Sequence, residues 1–274
     1  MGIYSRTIFL LLCCCLTATA SVVKITSLNE LPLTHSEGSV VFFDIDDTLL
    51  DFPCMLGSKA WRKEMFQVAP DQHDRIVLFI TKHIPATSVE PMTTQLIKEL
   101  QTKGYVVCGL TARERQVWYS TPMEGVDILT LKQLTSAGIA LDNNRFKEIY
   151  PELAKDAAYF EGVFFADISP KGDYLRKILE GASHRPKKII FIDDKLRQVQ
   201  SVDSVLQDLH IDHECYWYVA TEHQAAQFDP LIAAIQLHHL WVSQGSEMLS
   251  DQEAEVIRLQ HPEKTPDDYL QEIY

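Results

Sequence analysis

The sequence predicts an α/β protein with a doubly wound, mainly parallel sheet and a small helical cap inserted after the first strand. Two observations carry this prediction. Short, continuously apolar segments rich in Val, Ile and Phe recur along the chain, as expected for strands buried on both faces of a sheet. Segments with helical periodicity lie between them, and this alternation is typical of doubly wound α/β domains.

The predicted strands are short and the helices between them are amphipathic. Four strands are predicted at 39–46, 105–111, 162–167 and 187–194, and the segment 215–221 is a weaker candidate for a fifth. Helices are predicted at 91–104, 127–138, 171–182 and 197–209. Gly104 and Gly138 lie where helix C-caps occur, which supports the helix ends. We therefore assign residues 36–52 and 91–244 to the α/β core.

The predicted cap occupies residues 53–90. Two helical segments within it, SKAWRKEMFQVA and HDRIVLFITKH, indicate a small helical insertion above the strand ends. Trp61, Phe66 and Phe79 are interpreted as the core of this insertion, although one of them facing a substrate is an alternative. The acidic segment 245–274 is predicted to begin a helix near Ser250 and to continue as a solvated tail. Partner binding by this tail is an alternative.

Residues 1–20 have the layout of a secretory signal peptide. One Arg precedes a run of fourteen uncharged residues, which ends in Ala18-Thr19-Ala20. That run is shorter than the ~20 residues that span a bilayer, so we expect a secreted or periplasmic protein without a stable membrane span after cleavage. Cleavage would leave three cysteines, of which Cys108 is expected in the core. The sequence does not decide whether Cys54 and Cys215 form a disulfide.

The formal charge of −13 over 274 residues argues against nucleic-acid binding and against attraction to anionic membranes. An anionic substrate would need local cations. The ten histidines include His210 with His213 and the adjacent His238 and His239, and neither group has the spacing of a metal site. They are interpreted as structural or surface residues.

Acidic side chains cluster at the predicted strand ends. The residues at this edge are Asp44, Asp46, Thr111, Lys171, Asp193 and Asp194. Ligands bind at the carboxyl ends of the strands in open α/β sheets. Asp44 and Asp46 are two residues apart, so they face the same way, and at ~4 Å their repulsion is about 4 kcal/mol. Converging carboxylates therefore predict a hard cation, Mg²⁺, bound by Asp44, Asp46, Asp193 and Asp194.

Together, these residues could catalyse the transfer of a phosphoryl group. Asp44 could attack phosphorus and form an aspartyl-phosphate. Asp46 could protonate the leaving oxygen and later deprotonate water. Thr111 could hold phosphoryl oxygens, and Lys171 could neutralise charge on the nucleophile and on the transferred group. Arg113 and Arg115 are candidates for substrate contact or for ordinary loop residues, and Asp47 is interpreted as structural.

The ordered motifs resemble those of the haloacid dehalogenase (HAD) superfamily over residues 38–230. The matching segments are DIDDT, the Thr of GLTAR, the Lys of SPKG and FIDDK. In detail the chain resembles a secreted bacterial branch whose substrate is unknown. The resemblance implies a HAD-like fold and Mg²⁺-dependent phosphoryl chemistry on Asp44.

The resemblance also limits which reactions of the superfamily this chain is expected to catalyse. Asp46 favours a phosphatase or a phosphomutase over a dehalogenase or a P-type ATPase, and export favours hydrolysis. The sequence thus predicts a secreted Mg²⁺-dependent phosphatase that acts on phosphate monoesters of unspecified identity. The alternatives are a phosphomutase and a catalytically weak HAD-fold binding or effector protein.

Overall fold

A computed structural model describes residues 22–32, 38–115, 125–167, 169–222, 226–271 and 273. The signal peptide predicted at 1–20 lies outside these residues. The strands are β1 (Val23–Ile25), β2 (Ser39–Phe43), β3 (Leu50–Asp51), β4 (Thr87–Ser88), β5 (Val106–Thr111), β6 (Tyr159–Phe160), β7 (Val163–Phe165), β8 (Lys188–Asp193) and β9 (Asp212–Tyr218). Strands β3 and β4 form a separate antiparallel pair.

The main sheet has the strand order β1-β9-β8-β2-β5-β7-β6. Its described neighbours are parallel except for β6 and β7, which are antiparallel. Phe43, the last residue of β2, pairs with Gly109 of β5 on one side and with Ile192 of β8 on the other. The carboxyl ends of β2, β5 and β8 therefore meet at one edge of the sheet.

Helices cover both faces of this sheet. They are α1 (Lys59–Val68), α2 (His73–His83), α3 (Thr93–Thr102), α4 (Val126–Ser136), α5 (Asn143–Ile149), α6 (Lys171–Glu180), α7 (Leu196–Asp208), α8 (Pro230–Val242), α9 (Asp251–Gln260) and α10 (Pro266–Leu270). Val40 and Phe42 of β2 pack in one core with α5, α6 and α7. Val41 and Phe43 pack in a second core with α3 and α4. This alternation confirms an α/β fold with a mainly parallel sheet covered on both faces.

A third core lies under the cap and includes more of the chain than we predicted. Trp61 and Met65 of α1 and Ile76 and Ile80 of α2 pack with apolar residues of α8, α9 and α10. Phe66, which we expected in this core, is 63% exposed because it lies on the outer face of α1. The cap therefore shares its core with the C-terminal helices.

The helix predicted near Ser250 is confirmed, but the residues after it are not a solvated tail. The Ser250 side chain caps α9, and Glu253 completes a capping box. Tyr269, Leu270 and Ile273 are buried in the third core because the chain folds back onto α8. Deleting residues 245–274 would therefore remove part of this core.

Cys54, Cys108 and Cys215 are free and buried. The disulfide between Cys54 and Cys215, which the sequence did not decide, is therefore not formed. Cys54 belongs to the third core, whereas Cys108 and Cys215 belong to the core under α6 and α7. No helix in the described part of the chain combines the length and the apolar character that a membrane crossing needs.

Helices α6 and α7 approach each other closely at Gly172. A Cβ atom built on Gly172 would lie 2.2 Å from the carbonyl oxygen of Ser201 in α7, and such a distance is not sterically possible. Lys171, the first residue of α6, precedes this contact directly. The absent side chain at residue 172 therefore sets the position of Lys171.

We predict that Gly172→Ala destabilises the protein by about 1–3 kcal/mol, because the added methyl group must push α6 away from α7. Gly181→Ala is the matched control, since a Cβ atom there has its nearest neighbour at 3.8 Å and the backbone is already helical. Its effect should stay within about 0.5 kcal/mol. Urea unfolding followed by circular dichroism measures both. Equal stability of the two variants would contradict the close contact.

Candidate functional site

The predicted site residues lie at the edge where β2, β5 and β8 end. Asp44 follows β2 directly, and its backbone N–H donates to the Ile192 carbonyl of β8 at 2.9 Å. Thr111 is the last residue of β5, and Asp193 is the last residue of β8. Lys171 opens α6. Three parallel strands and one helix start thus bring these residues together from distant parts of the sequence.

The Lys171 ammonium lies between two carboxylates at the centre of the site. Its Nζ is 2.6 Å from Asp44 Oδ1 and 2.5 Å from Asp193 Oδ2, and the side chain is 1% exposed. Burial alone would lower the pKa of Lys171, but the charges of Asp193 and Asp44 outweigh burial and raise it. The Lys171 backbone N–H donates to Gln198 Oε1 of α7 at 2.9 Å. Lys171 is therefore a fixed, charged ammonium.

Asp44, Asp193 and Asp194 form a group that could hold a metal ion. One carboxylate oxygen from each lies within 4.8 Å of the others. Asp194 Oδ1 is buried and has no hydrogen-bond partner among the described residues. Burial, together with the charges of Asp44 and Asp47, raises the pKa of Asp194 to about 7. Oxygen-only donors with an unsatisfied buried oxygen fit a hard divalent cation such as Mg²⁺.

Asp193 is constrained in a similar way. Burial raises its pKa to about 6, against the opposing effect of the Lys171 charge. Its Oδ2 faces Lys171, and its Oδ1 accepts the backbone N–H of Lys195 at 2.7 Å. Asp193 is thus positioned by the first residues after its own strand.

The Asp46 side chain is not part of this group, although we predicted it as a metal ligand. Arg113 donates from Nη2 to Asp46 Oδ1 at 2.7 Å and from Nε to Oδ2 at 2.9 Å. Burial would raise the pKa of Asp46, but the charge and hydrogen bonds of Arg113 outweigh it and hold that pKa well below its usual range. The side chain is 26% exposed, so Asp46 is an ionised carboxylate at the edge of the site.

Arg113 is held by the sheet and by helix α4. Its Nη1 donates to Thr130 Oγ1 at 2.8 Å and to Gln133 Oε1 at 2.9 Å. Its backbone N–H donates to Thr111 Oγ1 at 3.1 Å. We left the role of Arg113 open from sequence, and the structure shows that it pairs with Asp46. Thr111 is buried, and its hydroxyl supports the loop that carries Arg113.

The cap supplies two cations that the sequence analysis missed. Lys59 Nζ in the first turn of α1 lies 2.7 Å from Asp194 Oδ2. Arg62, one turn further, pairs with Asp47 Oδ2, which agrees with the structural role expected for Asp47. Lys59 and Arg62, three residues apart in the predicted helix SKAWRKEMFQVA, were the available signal. Helix α1 therefore contributes two cations to the acidic side chains at the strand ends.

The acidic cluster at the strand ends contains as many basic as acidic side chains. The acids are Asp44, Asp46, Asp47, Asp193 and Asp194, and the cations are Lys59, Arg62, Arg113, Lys171 and Lys195. Burial would lower the pKa of Lys195, but Asp44 and Asp194 raise it. The repulsion between the carboxylates, which led us to expect a cation beside them, is therefore offset by basic side chains of the protein. The metal prediction depends instead on the three-carboxylate group.

The other arginine of this loop has a different partner. Arg115 Nε donates to Asp127 Oδ2 at 3.1 Å, and its Nη1 donates to the Ala157 carbonyl. Its guanidinium also lies over the ring of Phe160. Arg115 therefore ties the loop to α4 and to β6, and its described contacts lie outside the acidic cluster. Residues 116–124, which follow it, lie outside the described residues.

Similar proteins come from chlamydiae. The chain is 27% identical over 267 residues to a protein of Chlamydia pneumoniae, covering 92% of this chain and 95% of the relative. It is 23% identical over 232 residues to a protein of Chlamydia trachomatis serovar D, covering 80% and 85%. It is 24% identical over 252 residues to a protein of Chlamydia muridarum, covering 83% and 89%. All three carry the name "Putative outer membrane protein".

A family profile covers most of the chain. It matches residues 22–255, which include the whole main sheet, the cap and the first half of α9. All the residues of the acidic cluster lie within this match. The chain therefore belongs to the family described as "Protein of unknown function (DUF2608)".

Proposed function

We propose that this protein is a Mg²⁺-dependent phosphatase that hydrolyses phosphate monoesters through an aspartyl-phosphate on Asp44. The observation that carries the proposal is the convergence of Asp44, Asp193, Asp194 and Lys171 at the carboxyl edge of the sheet. A carboxylate nucleophile needs a nearby cation to approach an anionic phosphate, and this arrangement supplies one. The resemblance of the motifs to the HAD superfamily supports the same chemistry.

The first step uses Asp44 and Lys171. A carboxylate oxygen of Asp44 attacks phosphorus, the bond from phosphorus to the ester oxygen breaks, and the alcohol leaves. Lys171, 2.6 Å from Asp44 Oδ1, stabilises the negative charge that the nucleophile and the phosphoryl group share. Water then attacks the phosphoryl group, which releases inorganic phosphate and restores the Asp44 carboxylate.

Asp46 is the candidate for both proton transfers, and Arg113 limits the first one. Protonating the leaving oxygen requires a proton on Asp46, but Arg113 donates to both of its oxygens. Arg113 must therefore release one oxygen, for example to bind the incoming phosphate, before Asp46 can act as an acid. In the second step, the ionised state that Arg113 favours is the one that accepts a proton from water.

The charge of the site favours a dianionic substrate. With all five carboxyl groups ionised, as cation binding by Asp44, Asp193 and Asp194 would require, the five acids and five cations of the cluster balance. A Mg²⁺ ion held by Asp44, Asp193 and Asp194 would shield the phosphate charge from the attacking carboxylate. The added ion would leave two uncompensated positive charges in a largely buried site. A phosphate monoester dianion restores the balance, so ion and substrate are expected to bind cooperatively.

We place the protein outside the cytoplasmic membrane. The signal-peptide layout of residues 1–20 supports export to the periplasm or beyond. The relatives from chlamydiae are named for the outer membrane, which is compatible with an envelope location.

A second candidate is a binding or effector protein with little turnover. One observation favours it: both oxygens of Asp46 are already engaged by Arg113, so the acid that hydrolysis needs is not free. Such a protein would bind phosphate esters together with Mg²⁺ without releasing phosphate. Phosphate release, measured alongside binding of the same esters, separates the two functions.

We predict Mg²⁺-dependent hydrolysis of p-nitrophenyl phosphate that Asp44→Asn lowers on the order of 10³-fold or more, because the amide is not a nucleophile. Asp127→Asn is the control, since Asp127 pairs with Arg115 outside the cluster and its loss should change the rate little. Phosphate release is measured with and without Mg²⁺. Equal rates for the wild type and Asp44→Asn would contradict the mechanism.

We predict that Mg²⁺ raises the thermal unfolding midpoint of the metal-free protein, with about 2.7 kcal/mol of stabilisation at 100 times the dissociation constant. Asp194→Asn should lose most of this gain, because it replaces a buried ligand oxygen that no other group satisfies. Differential scanning calorimetry of the wild type, Asp194→Asn and the control Asp127→Asn tests this. An unchanged Mg²⁺ effect in Asp194→Asn would exclude the three-carboxylate site.

We predict that kcat/KM depends steeply on the leaving group. Arg113 opposes protonation of Asp46, so alcohols that leave readily as anions should react much faster than alkyl alcohols. A series of aryl and alkyl phosphate monoesters, compared at one pH with saturating Mg²⁺, gives this dependence. A flat series would mean that Arg113 frees Asp46 whenever substrate binds. Binding of these esters without phosphate release would instead support the second candidate function.

A further inference from the structure

A second group of possible metal ligands lies on the α7 face of the sheet, away from the acidic cluster. It consists of Asp203 on α7 and His213 and Cys215 on β9, whose ligand atoms all lie within 4.8 Å of one another. In the register of β8 and β9, Asp193 pairs with Trp217, whereas His213 pairs with Ile189. Four residues of strand, about 13 Å, therefore separate the two groups along the sheet.

The hydrogen bonds of His213 fix which ring nitrogen carries hydrogen. His213 Nδ1 lies 2.8 Å from the Ile211 carbonyl oxygen, which can only accept, so Nδ1 carries the hydrogen. The other nitrogen, Nε2, lies 3.3 Å from Asp203 Oδ1. In a neutral imidazole with this tautomer, Nε2 presents a lone pair to an oxygen lone pair, and the two repel each other. A metal cation bound by both atoms would remove this repulsion.

The Nδ1 contact is also the one that metal-binding histidines use. An imidazole that ligates through Nε2 commonly donates its Nδ1–H to a backbone carbonyl, which sets the ring orientation. In His213 the Nδ1 atom makes this contact with the Ile211 carbonyl oxygen. Two residues along the same face of β9, Cys215 adds a sulfur donor that is 2% exposed. We interpreted His213 as a structural or surface residue from sequence, because its partners Asp203 and Cys215 are not in a recognisable motif.

We propose that Asp203, His213 and Cys215 bind a soft divalent transition-metal ion, with Zn²⁺ as the best fit. The donor set has one nitrogen, one sulfur and one oxygen, which suits Zn²⁺ and not Mg²⁺. Zinc bond lengths place tetrahedral ligands about 3.3–3.8 Å apart, so small side-chain rotations close the present spacing. The Asp203 side chain is 19% exposed, so solvent can reach a fourth coordination position.

The charges of this site balance when the thiol loses its proton. Burial, with a further contribution from Asp203, raises the pKa of the Cys215 thiol, so the metal-free protein keeps the S–H bond. On metal binding the S–H bond breaks, a sulfur–metal bond forms and the proton goes to solvent. A divalent ion with one thiolate, one carboxylate and a neutral imidazole has no net charge. This neutrality lowers the cost of placing the ion beside an apolar core.

A metal ion bound by Asp203, His213 and Cys215 would link α7 to β9. Helix α7 begins directly after Lys195 and carries Gln198, which binds the backbone of Lys171. A metal ion at Asp203 would therefore hold the helix that positions the central ammonium of the acidic cluster. It is a structural role, and the ion does not take part in phosphoryl transfer.

The test is a Co²⁺ titration of the metal-free full chain. The wild type should develop a sulfur-to-cobalt charge-transfer band in the near ultraviolet that saturates at one ion per chain and disappears when Zn²⁺ is added. The result is independent of the proposed phosphatase activity, because no substrate is used. Absence of the band in the folded wild type would overturn the proposal.

Variants then identify the ligands. Cys215→Ser should abolish the band, whereas Cys108→Ser, a matched buried cysteine in β5 of the same core, should keep it. Asp203→Asn and His213→Gln should weaken Zn²⁺ binding at least about 10-fold, measured by competition with a chromophoric chelator. Asp194→Asn should keep the band, since it alters only the acidic cluster. A band that persists in Cys215→Ser, or Zn²⁺ affinity unchanged in His213→Gln, would refute the assignment.

Discussion

The buried Lys171 ammonium, held between Asp44 and Asp193, is the constraint on which the rest of the site depends. A buried charge is tolerated only with its partners in place, and removing one partner typically costs about 3–5 kcal/mol. The three residues come from the end of β2, the end of β8 and the start of α6, so those elements must stay in register. The close contact at Gly172 and the Gln198 hydrogen bond keep the helix start there.

Charge compensation links the acidic cluster to the cap. Lys59 and Arg62 of α1 neutralise Asp194 and Asp47, so the cap takes part in the electrostatics of the site. Helix α1 in turn packs on α8 and on the buried C-terminal residues. The acidic C-terminal segment therefore supports the geometry of the site through a shared apolar core, although its composition suggested a solvated tail.

The features that the sequence predicted well are those with a local physical cause. Strands β2, β5 and β8 are buried on both faces, so their residues form continuous apolar runs. The Ser250 capping box is a contact within one turn of helix. The elements that were missed lack such signals. Strands β1, β3, β4 and β6 have two or three residues, too few to show a period. Helix α8 has apolar residues on most of its surface, so it shows no amphipathic pattern.

The sequence by itself determined which acids end the strands, because strand ends follow from where apolar runs stop. It also determined that Lys171 opens a helix and that the fold is α/β. Only the tertiary structure decided the pairings: Arg113 with Asp46, Lys59 with Asp194, and His213 with Asp203 and Cys215. The physical reason is that an ion pair depends on distances of a few ångströms between side chains. Those distances are set by how helices pack on the sheet, which local sequence does not encode.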